Sequence, residues 1–265
     1  MTKTSIAVAR HNLISVIAAV IHALKRRDRR EPGWQEKEAA EARLAAAMSR
    51  AFGKQARKVR EYLGTVEQVP AAKYDPVATY IDLASFDDED VTAITARLIE
   101  AAQGGVYLFG QAAGLEINYT LVNKEAARWI RNYIFQFLKD LSTTTIDSLK
   151  YNIARFIETP GMTIGEVMQF LPFDEQRAQT IAVTEITRAY AQGNQLAGEE
   201  MKREFPGVKV VKVWFTNNDD LVCDICAPLN GVEVEIDASW EGGIDNPPAH
   251  VNCRCWTDSS TSILG

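Results

Sequence analysis

Cysteine is scarce in this chain and unevenly placed. There are four in 265 residues, all between positions 223 and 255. Histidine is scarcer still, with three, of which His11 and His22 lie near the start and His250 among the cysteines. That scarcity removes whole classes of site. There is no His-Glu-x-x-His pair for a zinc hydrolase, and no GxGxxG or GxxxxGK[ST] loop to cradle a phosphate. Internal repeats and low-complexity tracts are also lacking. Hydrophobic residues make up 46% and charged residues 24%, a balance that excludes disorder throughout and suits packed cores. A long clean apolar run is missing too. Ile6 to Leu24 is rich in Ile, Val, Leu and Ala, but Arg10, His11, Asn12, Ser15 and His22 interrupt it, and its charge follows rather than precedes it. A secretory leader needs a basic start and a cleavage site, and a span needs about 20 predominantly apolar residues. An amphipathic packing helix is the expectation, with no membrane partner. The expected compartment during assembly of the chain is then the cytoplasm, where structural disulfides are disfavoured.

The net charge of −6 conceals a split. Residues 1–60 carry +9 and residues 61–265 carry −15. Lys25, Arg26, Arg27, Arg29 and Arg30 form the densest basic run. Such a segment is expected to meet something acidic, either nucleic acid or an acidic protein face, and a solvated helix face is the alternative.

The fold class expected is α+β: a mostly helical N-terminal two-thirds followed by a small β-rich, metal-stapled C-terminal module. Residues 1–70 read as a basic helical arm, 71–141 as a helical region, and 142–265 as the module with its supporting helices. Helices are expected over 5–27, ended by Pro32-Gly33, and over 34–63, where Leu44, Met48, Phe52 and Val59 recur at helical spacing. A loop is expected over 69–76. A helix over 87–102 should stop at Gly104-Gly105, with Gly110 and Gly114 flanking another break. A helix over 124–141 and a separate one over 143–157 follow. Thr163 and Glu166 have capping-box spacing for a short helix through Leu171, and Asp174 is the natural N-cap of a long helix to about Glu204. Residues 208–215 are β-branched and aromatic, and 232–236 alternate after the Asn230-Gly231 turn, so both read as strands.

The chemistry-bearing pattern is Cys223-x2-Cys226, then 23 residues, then His250-x2-Cys253-x-Cys255. Two residues between cysteines let both thiolates converge on one ion from a tight turn. Cys253 and Cys255 share a face if that segment is extended. Five candidates compete for four tetrahedral positions. The four cysteines are the favoured set, with His250 a supporting donor; replacement of Cys253 or Cys255 by His250 is nearly as well supported. The expected cofactor is a structural Zn2+, which has no open position for water when its shell is filled. A deaminase would need a glutamate two residues after the histidine, where Asn252 stands. Glu233-x-Glu235 is similar to the paired glutamates of ADP-ribosyltransferases, but Ser260-Thr261-Ser262 follows the pair where that family has its serine-threonine-serine strand first. Two solvent-facing carboxylates on an edge strand are the expectation there. No catalytic residue and no small-molecule substrate are expected.

One family resemblance emerges from the order of several segments. Thr184-Glu185-Ile186-Thr187-Arg188-Ala189 on the long helix is followed by Lys212-Val213-Trp214-Phe215-Thr216. Then come Cys223-Asp224-Ile225-Cys226, Leu229-Asn230-Gly231 and Pro247-Pro248-Ala249-His250-Val251-Asn252-Cys253-Arg254-Cys255. Over about residues 142–257 this resembles the phage Mu protein F-like minor head proteins. The family often has Leu-Asp-Gly where this chain has Leu229-Asn230-Gly231, a difference a turn tolerates. The resemblance implies a non-enzymatic role in head morphogenesis: association with the portal protein and other head proteins, incorporation into the procapsid, and a location in the virion. It also leaves room for contact with viral DNA during packaging or delivery. A DNA-binding module combining the basic arm with the metal module is the alternative. Glu185, Arg188 and Trp214 are then structural, with Glu185 and Arg188 close enough on one helix face to pair.

Overall fold

A computed structural model describes residues 28–66, 77–113, 117–217, 219 and 221–263. The expected helix over 5–27, His11, His22, Lys25, Arg26, Arg27 and the loop over 69–76 lie outside these residues. Six α-helices are described in order: α1 (Trp34–Thr65), α2 (Val77–Leu83), α3 (Asp88–Ala113), α4 (Tyr119–Glu158), α5 (Ile164–Met168) and α6 (Glu175–Glu204). Three strands follow: β1 (Val208–Phe215), β2 (Glu233–Glu235) and β3 (Trp256–Ile263), with a short 3-10 turn at Ala227–Leu229 before β2. The α+β expectation holds. None of the described helices is long and apolar enough to cross a membrane.

Contacts group the chain into two compact units built from interleaved segments. The first takes the described residues of 46–93 and 134–178. Its core joins Val59 and Leu63 of α1, Tyr80 and Leu83 of α2, Leu149, Ile153 and Phe156 of α4, and Val167 with Leu171 around α5. Each such side chain contributes roughly 1.5–3 kcal/mol by leaving water. Thr163 caps α5 as its spacing predicts: the Glu166 N–H donates to Thr163 Oγ1 at 3.2 Å, and the Thr163 N–H to Glu166 Oε2 at 2.7 Å.

Residues 124–157 form one helix rather than two, since α4 runs unbroken through Ser142 to Thr145. The expected division fell at Ser142, and threonine hydroxyls that follow it can compete for backbone partners. Here they do so without leaving the helix. Thr143 Oγ1 donates to the Lys139 carbonyl at 2.9 Å, and Thr145 Oγ1 to the Leu141 carbonyl at 2.8 Å. The Arg177 guanidinium then donates to Thr145 and Thr144 at 3.1 and 2.9 Å.

The second unit takes the described residues of 28–45, 94–133 and 179–263. A second correction falls here. Gly104-Gly105 and Gly110 do not end α3, which continues to Ala113. The glycines are a crossing notch between α3 and α6. A Cβ on Gly105 would stand 2.0 Å from the Tyr190 carbonyl oxygen, and one on Gly193 would stand 1.8 Å from the Ala102 carbonyl oxygen. Each glycine costs α-helix stability of about 1 kcal/mol, and the close backbone approach offsets it. In α6, residues 182–187 are buried in succession, the mark of a helix covered on all sides there.

The sheet order is β2-β1-β3, all antiparallel. Val213 faces Glu233 and Val211 faces Glu235 on one side; Phe215 faces Trp256 and Val208 faces Ile263 on the other. The rings of Phe215 and Trp256 stack at 5.5 Å. β3 was not expected from the sequence; eight paired positions along β1 make it a strand. Glu233 and Glu235 are exposed on edge strand β2, as expected.

Candidate metal centre

Two tight turns carry the thiolate and imidazole donors. In the first, the Cys226 and Ala227 N–H groups donate to the Cys223 carbonyl at 3.1 and 2.9 Å. That closure folds the two sulfurs inward and leaves Asp224 and Ile225 exposed at the tip. In the second, the Cys253 N–H donates to the His250 carbonyl at 3.2 Å, and Asn252 adopts φ 60°, a left-handed conformation that asparagine tolerates. Both turns use the same three-residue closure.

The second turn is held to α6. The Asn252 N–H donates to Thr184 Oγ1 at 2.8 Å, and Thr187 Oγ1 donates to the Cys253 carbonyl at 3.4 Å. These threonines had no site role from sequence; their place in the Thr184-to-Ala189 segment is the only signal that marked them.

All five expected donors come together. Cys223, Cys226 and His250 form one close group, and Cys226, Cys253 and Cys255 another, so Cys226 belongs to both. His250 Nε2 lies 3.1 Å from Cys223 Sγ and 3.4 Å from Cys226 Sγ. Cys226 and Cys253 sulfurs are 3.8 Å apart. A tetrahedral zinc with Zn–S of about 2.3 Å and Zn–N of about 2.0 Å sets S···S near 3.8 Å and N···S near 3.5 Å. The observed spacings fit that shell, so this cluster can hold a metal ion. The histidine tautomer fits too. His250 Nδ1 is 2.9 Å from the Val251 carbonyl, which only accepts, so Nδ1 carries the proton and Nε2 offers its lone pair to the cluster.

The thiols are electrostatically interdependent. Hydrogen bonds from the Cys226 and Cys255 side chains, aided by backbone N–H groups, lower the Cys253 thiol to about 2. The same contact with Cys253 raises Cys226 far above its ordinary value. Cys255 is pulled down by Cys226 but more strongly raised by Cys253 and burial. One thiolate is thus favoured at the expense of its neighbours, and only a cation lets several ionise together.

Around the donors lies a small apolar shell of Trp214, Leu229 and Trp240. Trp214 is fully buried and meets Trp240 edge-on at 5.2 Å. Its indole N–H makes no hydrogen bond among the described residues, and its nearness lowers the Cys255 thiol. Trp240 donates its own N–H to the Val232 carbonyl at 2.9 Å. Lys212, read as an ordinary strand lysine, is buried here. Its Nζ donates to Gln195 Oε1 at 3.0 Å and to the Asp245 carbonyl at 2.8 Å, and sits 4.8 Å above the Trp240 ring. Burial lowers its pKa. It ties the segment before His250 to α6.

Glu185 and Arg188 pair as expected, at 3.2 Å. Glu185 is buried and also accepts from the Tyr133 hydroxyl at 2.6 Å. Burial raises its pKa, and burial with the Glu185 charge raises that of Tyr133. Arg188 lies 5.6 Å over the Tyr133 ring. These three groups engage one another. Arg29 and Arg30 are exposed. Arg30 is engaged by Asp28, while Arg29 lies 6.0 Å from the Trp34 ring.

The class these features define is an α+β protein whose small β-module gathers four cysteines and an imidazole into two close groups that share Cys226. Residues 145–257, the C-terminal part of the chain, match the family model described as "Phage Mu protein F like protein", a similarity that suggests phage head morphogenesis. No curated protein and no solved structure matches the chain.

Proposed function

We propose that the protein is a phage minor head protein, associated with the portal vertex, incorporated into the procapsid and carried in the virion head. The observation that supports it best is the coincidence of the family match with the anchored double turn: residues 145–257 span α6, its threonine tethers and all five donors. The role is structural rather than enzymatic. Five donors outnumber the four positions of a tetrahedral ion, and Glu185 is satisfied by its own neighbours. Partners are the portal protein and other head proteins, with viral DNA as a further contact during packaging or delivery. Co-expression with a portal protein from the same phage, followed by affinity capture and mass spectrometry of procapsids, tests this reading. Co-purification and presence in procapsids are expected; absence from both refutes it.

The cofactor is Zn2+, because sulfur-rich donors with imidazole select it. Cys223, Cys226, His250 and Cys253 form its shell, since the His250 tautomer and the 3.8 Å Cys226–Cys253 spacing suit a three-sulfur, one-nitrogen site. Cys255 is then left outside that shell. X-ray absorption at the zinc edge is expected to show three sulfurs and one nitrogen. Four sulfurs would overturn the ligand set, and no stoichiometric zinc under reducing, chelator-free conditions would overturn the metal.

DNA binding through the basic arm alone keeps the support of its charge. The metal module does not share that support: residues 216–255 hold eight carboxylates and one arginine.

A further inference from the structure

We propose that the outer edge of β3 is a dimerisation surface, on which β3 of a second copy pairs antiparallel across a two-fold axis to make one continuous sheet. Backbone directions identify the free edge. On β1 the Trp214 N–H donates to the Val232 carbonyl at 3.2 Å, and the Val210 carbonyl accepts from the Ile236 N–H at 3.1 Å. Val210, Lys212 and Trp214 thus turn their backbone groups towards β2, and by alternation Val211, Val213 and Phe215 turn theirs towards β3. The partners of those three are Ser260, Asp258 and Trp256. Thr257, Ser259 and Thr261 therefore point their N–H and carbonyl groups away from β1. None of these groups meets another backbone group among the described residues. The Ser259 N–H is held by a side chain instead, donating to Asp258 Oδ1 at 2.9 Å.

The two edges of the sheet differ in kind. β2 is three residues long and exposes Glu233 and Glu235, and a short charged strand resists further pairing. β3 is eight residues long, follows β1 without a bulge, and contains neither proline nor lysine. Ser260 and Ser262 are exposed along it. At its start the edge opens into a cleft lined by Glu31, Pro32, Lys37 and Tyr190, not onto another strand. An unblunted edge of that length is a template for one more strand. A second copy fits because the edge is self-complementary. With Ser260 opposite its own copy, Thr257 faces Ile263, Ser259 faces Thr261 and Asp258 faces Ser262. Serine then meets threonine across the axis and the two aspartates stay apart, both favourable for cross-strand pairs. Asp258 releases the Ser259 N–H, which donates to the new strand in its place. The assembly closes at two copies, since its outer edges are then the two short, charged β2 strands. The pairing uses the sheet alone, and is independent of the metal and of the portal.

Sedimentation velocity of the full chain under reducing conditions, from about 1 to about 200 μM protein, tests it. A shift from monomer to dimer is expected over that range. Thr261→Pro removes an N–H that β1 does not use, so the strand is kept and the dimer should be lost. Ser262→Lys leaves the backbone intact and places a charge on the edge. It should weaken the dimer at least tenfold, and it keeps the test open if the proline variant fails to fold. Hydrogen exchange read residue by residue adds a local measure. The Thr261 amide should slow at least fivefold as concentration rises, while the Ser260 and Ser262 amides, which face β1, stay slow throughout. A monomer at every concentration overturns the proposal. So does a dimer that Ser262→Lys leaves as tight as wild type, or that a folded Thr261→Pro protein retains. A Thr261 amide slowed only by added portal protein also overturns it, in favour of a strand from that partner.

Discussion

Gly105→Ala and Gly53→Ala are the same change in the same kind of structure, yet they should have opposite signs. Both glycines lie within helices, α3 and α1. On propensity alone each substitution stabilises by about 1 kcal/mol. At Gly53 a Cβ meets nothing within 4 Å, so the full gain is expected. At Gly105 it would stand 2.0 Å from the Tyr190 carbonyl oxygen and 3.0 Å from the Tyr190 Cα. A carbon and a carbonyl oxygen need about 3.2 Å, so backbone must move by more than 1 Å, and backbone cannot rotate away as a side chain can. Overpacking of this kind costs about 1–3 kcal/mol or more, and it also opens the crossing where Gly193 meets Ala102. The net for Gly105→Ala is a destabilisation of up to about 2 kcal/mol or more after the propensity gain. Urea unfolding followed by circular dichroism reads both. Gly53→Ala should raise the midpoint and Gly105→Ala should lower it, with slopes unchanged. A Gly105→Ala protein as stable as Gly53→Ala would refute the account of Gly104-Gly105 as a crossing notch.

Three further outcomes are expected. Thr184→Val keeps the shape but leaves the Asn252 N–H without its acceptor, a loss of about 1–3 kcal/mol; metal release to a chromogenic chelator should accelerate, whereas Thr184→Ser should release at the wild-type rate. Stripping the metal with chelator under reducing conditions should alter Trp214 and Trp240 fluorescence, because both rings pack against the donors; unchanged emission would show that the shell is not built around an ion. Burial raises the Glu185 pKa, so its neutral form is favoured on folding. That contribution is fully present below the ordinary glutamate value and is lost as pH rises through the raised one. The stability advantage of wild type over Glu185→Gln should therefore shrink as pH is raised from about 4 towards 7, and an advantage that grows over that range would contradict the sign.

Features set by neighbours in sequence were legible without a structure. The Cys223-x2-Cys226 and His250-x2-Cys253 turns close through backbone bonds three residues back, so spacing alone marks their donors. The Thr163–Glu166 box and the Asp174 cap are local for the same reason: the Arg177 N–H reaches Asp174 Oδ1 at 2.7 Å within one turn. The stripe of Leu44, Met48, Phe52 and Val59 is fully buried, because helical period can be read from the spacing of apolar residues along the chain. What distant residues decide was not legible. Gly105 reads as a stop until Tyr190 is placed against it. Residues 124–141 and 143–157 read as two helices until Arg177 engages the Thr144 and Thr145 hydroxyls of one continuous helix. Residues 256–263 become a strand only because β1 offers an unpaired edge, and Lys212 is buried only because Gln195 and the Asp245 carbonyl come to its ammonium. A single chain of residue types carries its turns, caps and ligand spacings within a few bonds. Close approach, pairing and the satisfaction of buried charge need a partner that only tertiary structure supplies.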